Sequence, residues 1–268
     1  MELSGQYPLV DTHCHLYWPG LVEQIDEVIA RARQVGIGAI IVPGINLETS
    51  VQAQELACRF AEVFFAAGLH PSEVHATPAS AVGKLLARFL GHPKLVAIGE
   101  IGLDAHYDYR AVEGQRPAFR AQLRFAAEHN LPVIVHHRDA GRQVVEELSA
   151  FPQLTGVFHC YDGSRRLLKY SQEAGFLLSL AGNVTYASAR NLHAQLPRIP
   201  EDRLLVETDA PWMPPEPVRK AKVGEPSHLT HTLGFLASRL AKSPDSLRML
   251  LSRNSYGLFH PLGDTDGA

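Results

Sequence analysis

Eight short apolar runs, separated by stretches with helical spacing, constrain this chain more than any other feature. The runs fall at 8–10, 38–44, 63–71, 95–104, 132–139, 155–161, 176–182 and 204–211. Helices are predicted between them at 21–35, 48–60, 79–90, 115–130, 142–151, 164–174 and 187–196, with two more at 227–241 and 243–259. In the first, Leu21, Ile25, Val28, Ile29 and Ala32 recur at the spacing of one helix face, and Gly36 stops it. A strand that is followed each time by a helix starts its next strand from the same end, so the strands pair in parallel. Eight such units predict an α/β fold of the (β/α)8 TIM-barrel type. The rival, a doubly wound sheet, favours a glycine-rich phosphate loop after the first strand, and none is present. No Pro/Gly linker divides the chain, so 1–268 is expected to form one domain, its tail at 263–268 frayed.

Composition then narrows the function classes. Hydrophobic residues at 46% and charged residues at 20% suit a globular enzyme with a sizeable core. A net charge of −3 excludes broad electrostatic capture of nucleic acid; a polyanion needs a local site. Cys14, Cys58 and Cys160 are odd in number and form no CxxC, which points to reduced thiols in a cytoplasmic setting. The amino terminus has no basic segment leading into a long apolar run, so no secretory signal is expected. No stretch nears ~18 consecutive apolar residues, so no membrane span is expected.

The polar residues at the ends of these runs carry the chemistry. In Asp11-Thr12-His13-Cys14-His15, strand alternation puts Asp11, His13 and His15 on one face and Val10, Thr12, Cys14 and Leu16 on the other. Two imidazoles about 7 Å apart at one strand end are able to bind a single cation, although His-x-His alone also describes two hydrogen-bonded core histidines. The same event recurs. Glu100 shares a face with Ile98 and Gly102, His136 with Ile134 and Arg138, His159 with Val157, and Glu207 with Asp209. His137, Phe158 and Cys160 take the opposite parity and are expected to face the helices.

Each of these groups stops an apolar run at the carboxy-terminal rim, where barrel active sites lie. One such residue is usually a satisfied strand terminus. Six from five strands (His13, His15, Glu100, His136, His159, Asp209) predict a metal centre, because isolated charges there would be costly to bury. Four imidazoles and two carboxylates suit Zn, Mn, Fe or Mg and demand no thiolate, leaving Cys14 as a buried inert thiol. Six ligands exceed one tetrahedral ion, so two divalent metal ions are expected, with Glu100 as the bridge.

Several stretches carry a family resemblance. VDTHCH at 10–15, GLHP at 68–71, GEIGLD at 99–104, PVIVHHRDA at 132–140, HCYDGS at 159–164, ETDAPWMPP at 207–215, EPSHL at 225–229 and RNSYGLF at 253–259 together resemble the TatD family of metal-dependent deoxyribonucleases. The resemblance spans nearly the whole chain in order. It implies an amidohydrolase-type TIM barrel that cleaves phosphodiesters with divalent metals. Residue by residue, it matches His13, His15, Glu100, His136, His159 and Asp209 to metal positions, and His70 and Arg138 to the pocket lining. The chain departs from the family at Tyr161-Asp162, at Ala105-His106 and at Lys222-Val223-Gly224, all expected near the pocket mouth, where they bear on substrate choice.

The remaining groups have two readings each. Arg138 holds a phosphate oxygen or forms a structural ion pair. Glu207 orients a ligand or base from behind, or stands exposed at the rim. Asp162-Gly163-Ser164 caps the next helix, though a helix amino terminus also attracts phosphate. Trp212 stacks on a base or packs at the rim. Arg219, Lys220 and Lys222 form a solvated loop or touch a phosphate backbone.

The expected activity is hydrolysis of DNA phosphodiesters, single-stranded or at ends, by a metal-activated water, with Asp209 and Glu100 as catalytic groups. The alternatives are an amidohydrolase-type enzyme acting on amides, lactones or phosphotriesters, and a D-aminoacyl-tRNA deacylase. Many amidohydrolases use a carbamylated lysine on the fourth strand, where this chain has Glu100. A non-enzymatic metal-dependent binding protein fits the full ligand set least well.

Overall fold

The computed structural model describes residues 8–106, 108 and 111–263. Eight strands, β1 (Leu9–Asp11), β2 (Ile37–Pro43), β3 (Val63–Ala67), β4 (Leu95–Gly102), β5 (Val133–His136), β6 (Gly156–Phe158), β7 (Leu177–Leu180) and β8 (Leu204–Val206), pair in parallel in sequence order. The ring closes where Thr12 N–H donates to Val206 O (3.2 Å) and where Cys14 forms a parallel bridge with Ala210. Helices α1 (Ile25–Gln34), α2 (Leu47–Arg59), α3 (Ala79–Leu86), α4 (Ala111–Glu128), α5 (Gly141–Leu148), α6 (Arg165–Ala174) and α7 (Arg190–Gln195) fill the crossovers. Helices α8 (Leu229–Arg239) and α9 (Pro244–Leu258) follow β8. This is the (β/α)8 TIM barrel that the alternation predicts. Among the described residues, no helix is long and apolar enough to cross a membrane.

The apolar residues separate into two compartments, as the period-2 alternation of each strand requires. One holds Val10, Ile41, Ala66, Val96, Ile134 and Val157, with Leu177 and Leu205, and fills the barrel. The other lies between the strands and the helices, with Leu9, Val42, Phe65 and Val135 against helix residues such as Ile29, Leu86 and Leu123. Leu258, Phe259 and Leu262 join the inner compartment. They close the amino-terminal end, because α9 is tied there by Ser252 to Pro8 O and by Asn254 to Glu201 O and Leu204 O. The opposite end stays open for chemistry.

The strands end earlier than the apolar runs. β8 stops at Val206 rather than 211, β6 at Phe158 and β5 at His136. Beyond these points the backbone leaves the ladder, and Asp139, Cys160 and Asp209 take positive φ of 55°, 45° and 53°. Left-handed non-glycine residues of this kind cluster at functional sites. Alternation therefore cannot be carried past a strand's end, which corrects three expectations. Val10 faces the barrel interior while Cys14, of the same parity, packs among the helix-facing residues. Asp11 does not share a side with His13 and His15; its carboxylate accepts from Thr208 N (2.9 Å) and Thr208 Oγ1 (2.6 Å). Ile98 belongs to the helix-facing compartment although Glu100 points to the mouth, because the β4–β5 register shifts between Ile98 and Ile101.

Cys14 is fully buried. Cys14→Ala should keep the protein's metal content and cost about 1 kcal/mol of stability, the price of one small packed side chain. Denaturant unfolding with parallel metal analysis checks both; loss of metal would put the thiol in the centre.

Candidate metal centre

Six residues from five strands meet at the open end of the barrel. Their convergence depends on backbone contacts that side chains would block. A Cβ at Gly68 would lie 2.6 Å from Gly99 C and 2.8 Å from Glu100 N. Gly102 has φ +150°, and a Cβ there would lie 2.0 Å from His136 O. Both are glycines of the GLHP and GEIGLD motifs, and both let a neighbouring strand end close on Glu100.

Glu100 stands at the centre of the group. Its Oε1 lies 2.8 Å from His136 Nδ1 and 2.8 Å from His159 Nε2. Its Oε2 lies 3.4 Å from His13 Nε2 and 3.7 Å from His15 Nε2. Asp209 Oδ1 completes the second set at 3.8 Å from both His13 Nε2 and His15 Nε2, which are themselves 3.0 Å apart. One carboxylate thus presents one oxygen to each of two histidine pairs. All six side chains are buried or nearly so.

The outer hydrogen bonds decide where the imidazole protons sit. Tyr17 has one hydroxyl proton and gives it to Pro43 O (3.0 Å), so His15 Nδ1–H must donate to Tyr17 OH (2.7 Å). That leaves a lone pair on His15 Nε2, facing the centre. His136 Nε2 pairs with Asp104 Oδ2 (3.0 Å), leaving Nδ1 to face Glu100. His159 has Glu207 Oε1 3.5 Å from Nδ1, leaving Nε2 to face Glu100. Three lone pairs and the oxygens of two carboxylates converge in one small space. A divalent cation fits this donor set, with the second layer of hydrogen bonds that metal-binding histidines use.

The electrostatics agree. Burial alone would raise Glu100, yet the surrounding imidazoles, His159 and His70 first, hold it well below the usual carboxylate range. Burial lowers the basicity of His159 and His136, but the carboxylates beside them outweigh it, and both become more basic than usual. They attract positive charge. Burial pushes Asp209 up to about 6, with His13 and His159 offsetting it only in part.

A cavity of about 860 Å³ opens over this group. His70 lines it, with Nε2 3.5 Å from Glu100 Oε1. Ser72 N–H donates to His70 Nδ1 (3.1 Å), so Nε2 carries the proton and points inward. Burial lowers His70 to about 4, which makes it a neutral donor at physiological pH. Arg138 and Trp212 also line the cavity and are exposed.

Glu207 is different. It is fully buried, accepts from Cys160 N–H and faces His159 and His13 from behind rather than lining the cavity, so it is not placed to touch substrate. Its burial removes the exposed-rim reading, and any direct part in substrate binding with it. Cys160 is corrected too. The chain turns at its positive φ, so it lines the cavity rather than facing the helices. His137, also beside the cavity rather than turned to the helices, is buried and donates to His159 O (2.9 Å). Ser164 caps α6 (3.5 Å to Leu167 N–H) and Asp162 accepts from Ser164 N–H (2.9 Å). Arg219 lies 3.9 Å over the Tyr186 ring, and none of Arg219, Lys220 and Lys222 lines the cavity.

Sequence reasoning missed Asp104 and Tyr17, both hydrogen-bonded to histidines of the centre. The signal was available for each: Asp104 ends the GEIGLD motif, and Tyr17 follows His15 by two residues. Asp104→Ala should leave His136 Nε2–H without its acceptor and weaken metal binding roughly 10–100-fold. Titration against a competing chelator measures this; unchanged affinity would make Asp104 a cavity-wall carboxylate only.

The comparisons with known proteins follow the same outline. The family model described as TatD related DNase matches residues 10–260. An uncharacterized metal-dependent hydrolase, YabD of Bacillus subtilis, is 33% identical over 94% of this chain and 98% of its own length. The 3'-5' ssDNA/RNA exonuclease TatD of Citrobacter rodentium is 35% identical over 89% of this chain and 92% of its own. Among solved structures, YjjV, a TatD homolog from Escherichia coli, superposes with a TM-score of 0.86 at 29% identity, covering 94% of this chain and 98% of that one. An uncharacterized amidohydrolase from Saccharomyces cerevisiae, at 18% identity and a TM-score of 0.83 over 94% of this chain and 99% of its own, shares the fold.

Proposed function

The chain belongs to the TatD-related DNase family, a family of metal-dependent hydrolases, and on that premise we propose that it cleaves phosphodiester bonds at the ends of single-stranded DNA. The observation that carries this reading is the division of Glu100 between two histidine pairs. One pair with Asp209 and the other with Asp104 behind it form two adjacent seats for divalent ions, Zn, Mg or Mn, sharing a carboxylate. Bound there, such ions would acidify a water molecule and neutralise charge on phosphoryl oxygens.

The chain's own residues supply the rest. Asp209, at the cavity floor, accepts the proton of the attacking water. His70 Nε2–H donates to a phosphoryl oxygen, a role that its fixed tautomer and neutral state suit. Arg138 adds charge at the mouth, where a phosphate ester enters. Glu207, Asp104 and Tyr17 fix the imidazole orientations from behind. The three free cysteines agree with work in a reducing cytoplasm.

The exonuclease relatives are named for single-stranded DNA and RNA, so both belong in the test. Purified protein reloaded with Zn, Mg or Mn is offered single-stranded DNA, duplex DNA, RNA, an aminoacyl ester and an amide. Cleavage of single strands above the others is the expected result. Hydrolysis of the amide or the ester with no phosphodiester cleaved would replace the nuclease reading with one of the other amidohydrolase-type activities.

A further inference from the structure

We propose that Trp18 and Trp212 form a nucleobase subsite beside the metal centre, which selects a strand end whose base is free to unstack. This rests on the nuclease reading and adds what the site recognises besides phosphate. Four large hydrophobic side chains are exposed among the described residues, and two of them, Trp212 (42%) and Met213 (37%), are neighbours on the cavity wall. An indole left this open gives up burial that the barrel could otherwise have provided. Its surroundings say what would cover it.

The Trp212 ring lies 5.1 Å from the His15 ring and 4.8 Å from the Trp18 ring, centroid to centroid. His15 is one of the six converging residues, so the aromatic wall starts where the metal centre ends. Both indoles are held by the backbone of those same loops: Trp18 N–H donates to His15 O (2.9 Å) and Trp212 N–H to Asp209 O (2.9 Å). The wall therefore sits on the β8–β1 seam in fixed register with the reacting phosphate. Across the cavity, His70, Arg138 and His136 supply polar groups. A ligand that is charged on one side and flat and aromatic on the other matches this division: a nucleotide, its phosphate over Glu100 and its base on the indoles.

Stacking on an aromatic face tolerates every base, but it requires a base that has left its own stack. A terminal or single-stranded nucleotide meets that requirement easily. A base inside a duplex does so only at the expense of pairing and stacking. The wall thus makes single-strand preference a property of two side chains.

The chain contains only two tryptophans, and both lie in this wall. Intrinsic tryptophan fluorescence therefore reports on the subsite without background and without turnover. Full-length protein, with and without added Mg, is titrated with a short single-stranded oligonucleotide and with the same strand carrying abasic sites at both ends. Saturable quenching by the first and much weaker quenching by the second is expected. In cleavage assays, Trp212→Ala should raise KM for the base-bearing strand roughly 5–100-fold. Trp212→Phe should restore most of the loss and Trp212→Leu little of it. The abasic strand, lacking the stacking partner, should distinguish little between Trp212→Ala and the wild type. Equal quenching by both strands, or equal KM effects on both, would reduce the wall to packing. A protein whose fluorescence responds to bases but which cleaves no phosphodiester would keep the subsite and reject the nuclease reading. A protein that cleaves strands with no difference between base-bearing and abasic ends would do the reverse.

Discussion

Asp209→Asn lowers the single-turnover rate of oligonucleotide cleavage by roughly 10²–10⁴ while the same strand still binds; this is the range for loss of a general base. Asn keeps the shape of the side chain and one oxygen near His13 and His15, but it cannot take a proton. It also removes one negative charge from a site that holds Glu100, Asp104 and Glu207 as well, so repulsion of the incoming phosphate falls and binding holds or tightens. The backbone argues that the geometry survives: Asp209 N–H donates to His13 O (2.9 Å), a contact that the substitution does not touch. Saturating metal in the assay separates loss of the base from loss of an ion. Cleavage by the Asn variant at near the wild-type rate would remove Asp209 from the proton transfer. A rate that recovers as metal concentration rises would make its role that of a ligand alone.

The barrel was legible because its signal is repeated. Eight apolar runs with helical spacing between them admit few arrangements, and some helices carry a local cue as well, such as Asn46 and Ser243 at the starts of α2 and α9 or Gly175 after α6. Strand ends were less legible for a physical reason. The last residues of each run are chosen for side chains that reach a ligand, not for ladder pairing, so the backbone turns away while the composition still looks extended. Thus β8 shortens to Leu204–Val206, and His13 and Cys14 do not keep the parity set by Val10. The centre was found despite this, because the parity argument was needed only to single out unusual polar residues, and the fold then collected them. On β5 and β6, where Ile134 and Val157 do face inward, alternation alone aims His136 and His159 correctly.

The supporting groups were the harder part. Asp104 and Tyr17 act through hydrogen bonds, and Glu207 through a 3.5 Å charge contact, to nitrogens on the far side of each imidazole. Spacing along one strand does not report which residue of another strand or loop stands there. Glu207 illustrates the difference: from sequence it is a carboxylate near a rim, and only the position of His159 Nδ1 shows that it faces backwards.

Chelation is the second large effect expected: it should abolish hydrolysis and leave the barrel folded. The two apolar compartments are complete below the rim, so far-UV circular dichroism should hardly change when metal is withdrawn. Stability should still fall. A ligand present at 100 times its Kd contributes about 2.7 kcal/mol, which for a domain of this size corresponds to a Tm loss of roughly 5–10 °C. The loss should grow with pH. His136 and His159 have folded-state values raised above those of the unfolded chain, so the stability they add to metal-free protein is fully present below about 6.5 and is lost as pH rises through the folded values. Asp209, raised to about 6, and Asp11, raised to about 7, act in the same direction between their unfolded values and these. In acid the metal-free site thus takes up protons in place of cations, and it holds fewer of them as pH rises. Melting curves of metal-loaded and chelated protein at pH 6 and pH 8 measure the two gaps. A wider gap at pH 8 with full loss of activity at both is the expected result. Global loss of helical signal on chelation would instead make the ions part of the fold, and a gap that narrows with pH would mean that the imidazoles are not where the cations bind.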